Sequence, residues 1–140
     1  MATTYTLDTA VSPSAYKGSP GGGVFARVAS LSITAAMVGT INNVIQALPV
    51  YDGETVLGVE IKSTDLDTGS PALTLSVGDG GATARYIAAS TVGQAGGSAK
   101  HTVGVPHTYT ADDTIDILVA AAAATGADGT IDIVVLLKNA

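Results

Sequence analysis

The tetrapeptide Thr-Ile-Asp-Ile occurs twice, at 114–117 and at 130–133. Each copy opens an alternating run. Ile115, Ile117, Val119, Ala121 and Ala123 fall on one side of an extended chain, with Asp116 on the other. Ile131, Ile133, Val135 and Leu137 repeat the pattern, with Asp132 and Lys138 opposite. A period of two marks a strand with one buried face. The β-branched start of each copy would lose rotamer freedom in a helix. A helix competes for the first copy. Asp112 or Asp113 could cap it, Ile115, Leu118, Val119 and Ala122 form a stripe, and Gly126 stands where a terminating glycine belongs. The alanine run 120–124 adds the best helix-forming residue. The register, together with the glycine-containing segment 125–129, favours two strands joined as a hairpin. In that arrangement the alanines present small side chains on both faces, a surface on which another layer packs closely.

The same period governs the chain upstream. Phe25, Arg27, Ala29, Leu31, Ile33, Ala35 and Met37 share one face, and Val28, Ser30, Ser32 and Thr34 the other. Residues 42–50 give a second strand, which Pro49 confines to an edge or a strand end because it has no N–H to donate. Ile41, Val44, Ile45 and Leu48 lie at helical spacing and keep a short helix open there. Asp52-Gly53 centres a turn. Strands follow over 55–62, 72–77 and 84–89, separated by the loop 63–71 and a glycine turn at 78–81, while 90–105 is glycine-rich and irregular. Strands spaced about 8–12 residues apart with turn signals between them predict a sandwich or barrel. The expected fold is all-β: one antiparallel β-sandwich, jelly-roll-like, over 24–140, preceded by an extended N-terminal arm over 1–23. The arm has proline and glycine clusters and no hydrophobic period. It nevertheless spaces Tyr5, Leu7, Val11 and Tyr16 along its length, and disordered tails carry few aromatics. It is either a loose leader or an arm that docks on a neighbouring subunit. On the second reading Tyr5, Leu7, Val11, Tyr16 and Phe25 are the candidate interface residues.

Charge content narrows the function. Asp, Glu, Lys and Arg make up 13% of the 140 residues, while apolar residues reach 46%. Soluble domains carry about 25% charge, and a lone domain needs it to stay dispersed. Either Thr, Ser, Asn and Gly cover the surface, or much of it is buried against neighbours; the second reading is favoured. A net charge of −6 argues against nucleic acid, whose binding rests on basic residues at phosphates. The six basic residues, Lys17, Arg27, Lys62, Arg85, Lys100 and Lys138, are scattered. No apolar run is long enough to span a membrane, and the N-terminus lacks the basic start and apolar run of a signal peptide. A soluble chain, not exported by its own signal, is the expectation.

No catalytic constellation emerges. There is no cysteine, so neither a disulfide nor a thiolate metal site can form. His101 and His107 are the two histidines, without a nucleophile elbow or a zinc-protease motif around them. Residues 77–86, VGDGGATARY, lack the lysine of a phosphate loop, and a tight turn with positive φ explains the glycines. Asp65-Leu66-Asp67-Thr68-Gly69 starts like a calcium loop but lacks its later acidic positions; Asp112, Asp113 and Asp128 could add oxygens if loops converge. No catalytic residue, cofactor or metal ligand is assigned.

From Asn43 onward the order NVIQALPVYDGETVLGVEIK, ALTLSVGDG, YTADDTIDILV and GTIDIVVLL resembles small β-sandwich head decoration (cement) proteins of tailed bacteriophages. The resemblance spans about two thirds of the chain and consists of strands and turns. It implies a structural virion protein rather than an enzyme, made in the host cytoplasm and seated on the outer capsid surface. The implied partners are the major capsid protein and further copies of itself, as a trimer. The family has no portable site motif, so no functional residue carries over. A phage tail, fibre or host-glycan-binding sandwich is the alternative.

Overall fold

Alternating apolar residues become strands where one face can be covered, and the described residues form ten strands. The computed structural model describes residues 2–6 and 23–139. The strands are β1 (Thr4–Thr6), β2 (Val24–Ile33), β3 (Val44–Val50), β4 (Thr55–Ser63), β5 (Thr74–Gly78), β6 (Ile87–Ser90), β7 (Gly97–Lys100), β8 (His107–Thr108), β9 (Asp113–Ala121) and β10 (Gly129–Lys138). A single helical turn, α1 (Ala35–Val38), follows β2. The first sheet has the order β1-β3-β9-β5-β6 and the second β2-β10-β4-β7, with β8 also on β4. All pairings are antiparallel except β1 with β3. The inner faces share one core, in which Leu31, Ile45, Ile61, Leu75, Ile117 and Ile133 are fully buried. The all-β sandwich expected from the sequence is what forms.

Both TIDI copies are strands, but they do not form a hairpin. β9 lies between β3 and β5, and β10 lies between β2 and β4 in the opposite sheet. The expected hairpin loop is therefore a crossover over the end of the sandwich. The alanine run splits there. Ala121 ends β9, while Ala123 donates its N–H to the Val38 carbonyl (2.9 Å) and packs on the core. Gly126 passes so close to α1 that a Cβ would stand 2.7 Å from the Ala35 carbonyl oxygen. Small residues are needed there because the chain crosses its own helical turn.

Further differences from the sequence reading have local causes. The strand expected to run to Met37 stops at Ile33, because the Ala35 N–H is taken by the Asp128 carboxylate (2.8 Å) and the backbone turns. α1 still buries Met37 and Val38, the apolar residues that had extended the pattern. Residues 44–50 are strand rather than helix, with a bulge between Gln46 and Leu48. Pro49 lies beyond the short β1, so its missing N–H faces no partner strand. β7 and β8 emerge from stretches without alternation. Thr4–Thr6, within the expected arm, pairs with Val44–Gln46 of the same chain. Residues 7–22 lie outside the described residues.

Buried polar groups fasten the ends of the sandwich. Asp67 is 1% exposed and accepts N–H bonds from Ala72, Leu73, Ala124 and Thr125 at 2.8–3.1 Å. Those backbone donors, Ala72 and Thr125 foremost, hold its carboxyl well below the usual range. Both of its oxygens are thus engaged by backbone, Oδ2 by three N–H groups and Oδ1 by one; among the described residues no metal-ligand cluster occurs. At the other end Arg27 meets Glu54 through two 3.0 Å bonds and donates to the Pro49 carbonyl at 2.8 Å.

Candidate assembly surface

β10 supplies the first unusual observation. From Val134 to Leu137 it is apolar on both faces. Val135 and Leu137 enter the core, while Val134 and Leu136 point outward and remain 40% and 42% exposed. Register places Val134 beside Val28 of β2 and Glu60 of β4, and Leu136 beside Ala26 and Gly58. Val24 and Val28 are exposed, at 59% and 61%. The outer face of the second sheet thus carries an apolar strip at one end. Its other end is polar, with Ser30, Ser32, Asp132 and Lys62 in adjacent positions.

Charge on this face is equally uneven. All three described lysines, Lys62, Lys100 and Lys138, stand on it. None is in an ion pair among the described residues. The strands of the first sheet carry Asp113 and Asp116 and no basic residue.

The strip contains a notch. β4 pairs with β7 over Glu60–Ser63 and with β8 over Thr55–Val56, so on the side away from β10 no described strand flanks the stretch between. His101 fills the gap: its N–H donates to the Val59 carbonyl (2.8 Å), and its Nδ1 accepts the Val59 N–H (3.1 Å). Gly58 forms the floor, and Glu60, Lys100, His101, Val134 and Leu136 form the walls of a 310 Å³ hollow. Such a volume is at the lower limit of small-molecule sites, about 300–1,000 Å³, and has room for an apolar side chain.

The interface residues expected from the sequence are distributed differently. Tyr5 is half-buried and packs on the chain's own core from β1. Phe25 points inward from β2, next to Arg27, whose guanidinium lies 5.3 Å from the Phe25 ring and 5.2 Å from that of Tyr51. Leu7, Val11 and Tyr16 lie outside the described residues. The outward residues Val24, Val28, Val134 and Leu136 were not singled out. A signal for them was present: a half-buried strand alternates, whereas continuous apolar residues mark a strand covered on both faces.

The remaining polar clusters are structural. Asp79 accepts from Arg85 (2.6 Å), Tyr109 (2.7 Å) and the N–H groups of Gly81 and Ala82, and Tyr109 bonds Tyr86 (2.7 Å). Burial pushes the Tyr86 hydroxyl up to about 12 and raises that of Tyr109 as well. This network explains VGDGGATARY. Gly78 is required because a Cβ would collide with the Ala82 and Thr83 backbone, not because of positive φ. His107 packs edge-on against Tyr109 at 4.7 Å. Asp116 is buried on the outer side of the first sheet. Burial lifts its carboxyl to about 6, with Asp113 and Asp79 adding to the rise and the Thr114 hydroxyl (2.6 Å) opposing it.

No protein-family model matches the chain, and no curated protein matches its sequence. A solved structure does: a chain of the cyanophage Pam1 capsid asymmetric unit is 39% identical, with a TM-score of 0.75, over 88% of this chain and 89% of that one. The chain belongs to a family of phage capsid proteins. A chain in the capsid of Ralstonia phage GP4 shares the fold throughout, with a TM-score of 0.82 over 98% of both chains at 24% identity. A more distant likeness is found in the acidic stable capsid structure of Helicobacter pylori bacteriophage KHP30, at a TM-score of 0.54 and 12% identity over 84% of this chain and 92% of that one. A structural role in the virion follows for this capsid protein.

Proposed function

We propose that this capsid protein is a decoration, or cement, protein: it binds the outer surface of the phage head and reinforces the lattice, as a homotrimer, by contacts with the major capsid protein and with its own copies. The observation that carries the reading is the exposed apolar strip flanked by lysines that form no ion pair among the described residues, on a chain akin to part of a capsid asymmetric unit. A free protein has little reason to keep such a face, and large exposed apolar patches mark interaction sites. A lattice that repeats weak contacts many times gains avidity from them. The low charge content fits a subunit with much of its surface covered. The arm over 7–22, with Leu7, Val11 and Tyr16, is a further contact within this reading. No reaction is assigned. The tail, fibre or glycan-binding alternative gains no support from the described aromatic rings: Tyr86 and Tyr109 are buried in a hydrogen-bonded pair, Phe25 and Tyr51 flank Arg27, and Tyr5 packs on the core.

The test is electron microscopy of heads made with and without this chain, paired with a heat-release assay for packaged DNA. Density on the outer surface at lattice-wide copy number, and release at a lower temperature without the chain that is reversed by adding it back, are expected. Density inside the shell, or a few copies confined to the tail, would overturn the reading.

A further inference from the structure

We infer that the outer face of the second sheet is the surface that seats on the shell, and that its partner is a different protein presenting an apolar side chain to the Gly58 notch within a carboxylate-bearing rim. The inference rests on the decoration reading. Charge complementarity picks the partner's chemistry. The chain carries −6 overall, yet its three described lysines gather on this one face; Lys100 stands opposite Glu60 and Lys62 opposite Asp132 without a close ion pair among the described residues, which leaves the face with an excess of ammonium groups. Unpaired ammonium groups around an apolar centre complement carboxylates around an apolar ridge.

Size agrees. Four strands about 4.8 Å apart and up to ten residues long, at about 3.3 Å per residue, offer roughly 600 Å², against about 800 Å² per partner in a standard interface. A second copy meeting this face with the same face would bring together two surfaces that each carry three lysines against the two carboxylates Glu60 and Asp132, a poorer charge match than a carboxylate-bearing partner. The notch sharpens the fit. Its floor is glycine although no positive φ demands one, and a Cβ there would meet nothing nearer than His101 Cε1 at 3.4 Å. The fold has room for a Cβ at Gly58; a partner side chain inserted there would compete with it.

The experiment loads full-length protein onto purified heads that lack it and measures occupancy by sedimentation. Val28→Glu with Leu136→Glu is expected to weaken loading at least roughly 30-fold, in line with interface centres. Lys62→Glu with Lys100→Glu is expected to weaken it and to flatten its salt dependence. Gly58→Val is expected to melt no lower than wild type and still lose at least roughly tenfold in loading. Ala88→Glu, on β6 of the other sheet, is expected to load normally. Face variants that load like wild type would overturn the inference and leave the decoration reading standing. Wild type that does not load at all would overturn both. Face variants that instead dissociate an oligomer of the free chain would assign the face to copy-to-copy contact and overturn the heterologous partner.

Discussion

Asp116 and Asp132 occupy the same place in the same tetrapeptide, each on a central strand with fully buried isoleucines on either side. Their surroundings differ because their cross-strand neighbours differ. Asp116 lies between Gln46 and Gly78 and is nearly buried, and its carboxyl is lifted to about 6. Asp132 lies between Ser30 and Lys62, half-exposed, and accepts the Ser30 hydroxyl at 2.6 Å. Four identical residues thus build identical inward faces and opposite outward ones. Alternation dictates what a strand buries; the partner strands dictate what its other face does.

The strongest way to break the comparison is through the inward faces. Ile117→Ala and Ile133→Ala should each cost about 2–5 kcal/mol, by similar amounts, in denaturant melts. A difference beyond that spread would mean that the two sheets hold the core unequally. The outward faces should separate next. The folded-state value of Asp116 lies above the 3.8 of a free carboxyl, so the native state binds the proton more tightly. Its penalty is then fully present above about pH 6 and fades as pH falls towards 4. Asp116→Asn should stabilise by on the order of 1–2 kcal/mol at pH 8, and the gain should vanish in melts near pH 4. An equal gain at both pH values would locate the effect elsewhere than in charge burial. The smallest effect is expected for Asp132→Asn, within about 0.5 kcal/mol at pH 8, because the Ser30 hydroxyl can bond an amide as well. A larger loss there would show that Lys62 contributes to the fold rather than standing free for a partner.

Much of this was legible in the sequence, and the boundary is physical. Period-two alternation identified β2, β9 and β10 and which side of each is buried, because burial acts residue by residue along a strand; β4 and β5 were legible as strands. Pairing is a relation between distant segments, so the two TIDI strands, close in sequence and matched in pattern, were joined when they lie in opposite sheets. β7 and β8 are too short and too glycine-rich to show a period. α1 was hidden because Met37 continued the strand pattern into a helical turn. The assembly face was half-legible: the strip was written in the unbroken apolar run 134–137, but only register reveals that Val24 and Val28 extend it and that three scattered lysines share it.

Asp67 sits where two crossovers meet. Ala72 and Leu73 belong to the passage from β4 in the second sheet to β5 in the first; Ala124 and Thr125 belong to the return passage from β9 to β10. At the opposite end Arg27 spans from β2 to the β3–β4 turn. In mechanical terms the sandwich is laced at both ends. A tangential load on the outer face of the second sheet cannot slide that sheet over its companion without tearing several hydrogen bonds at once, so a pull applied to that face is delivered to the whole body.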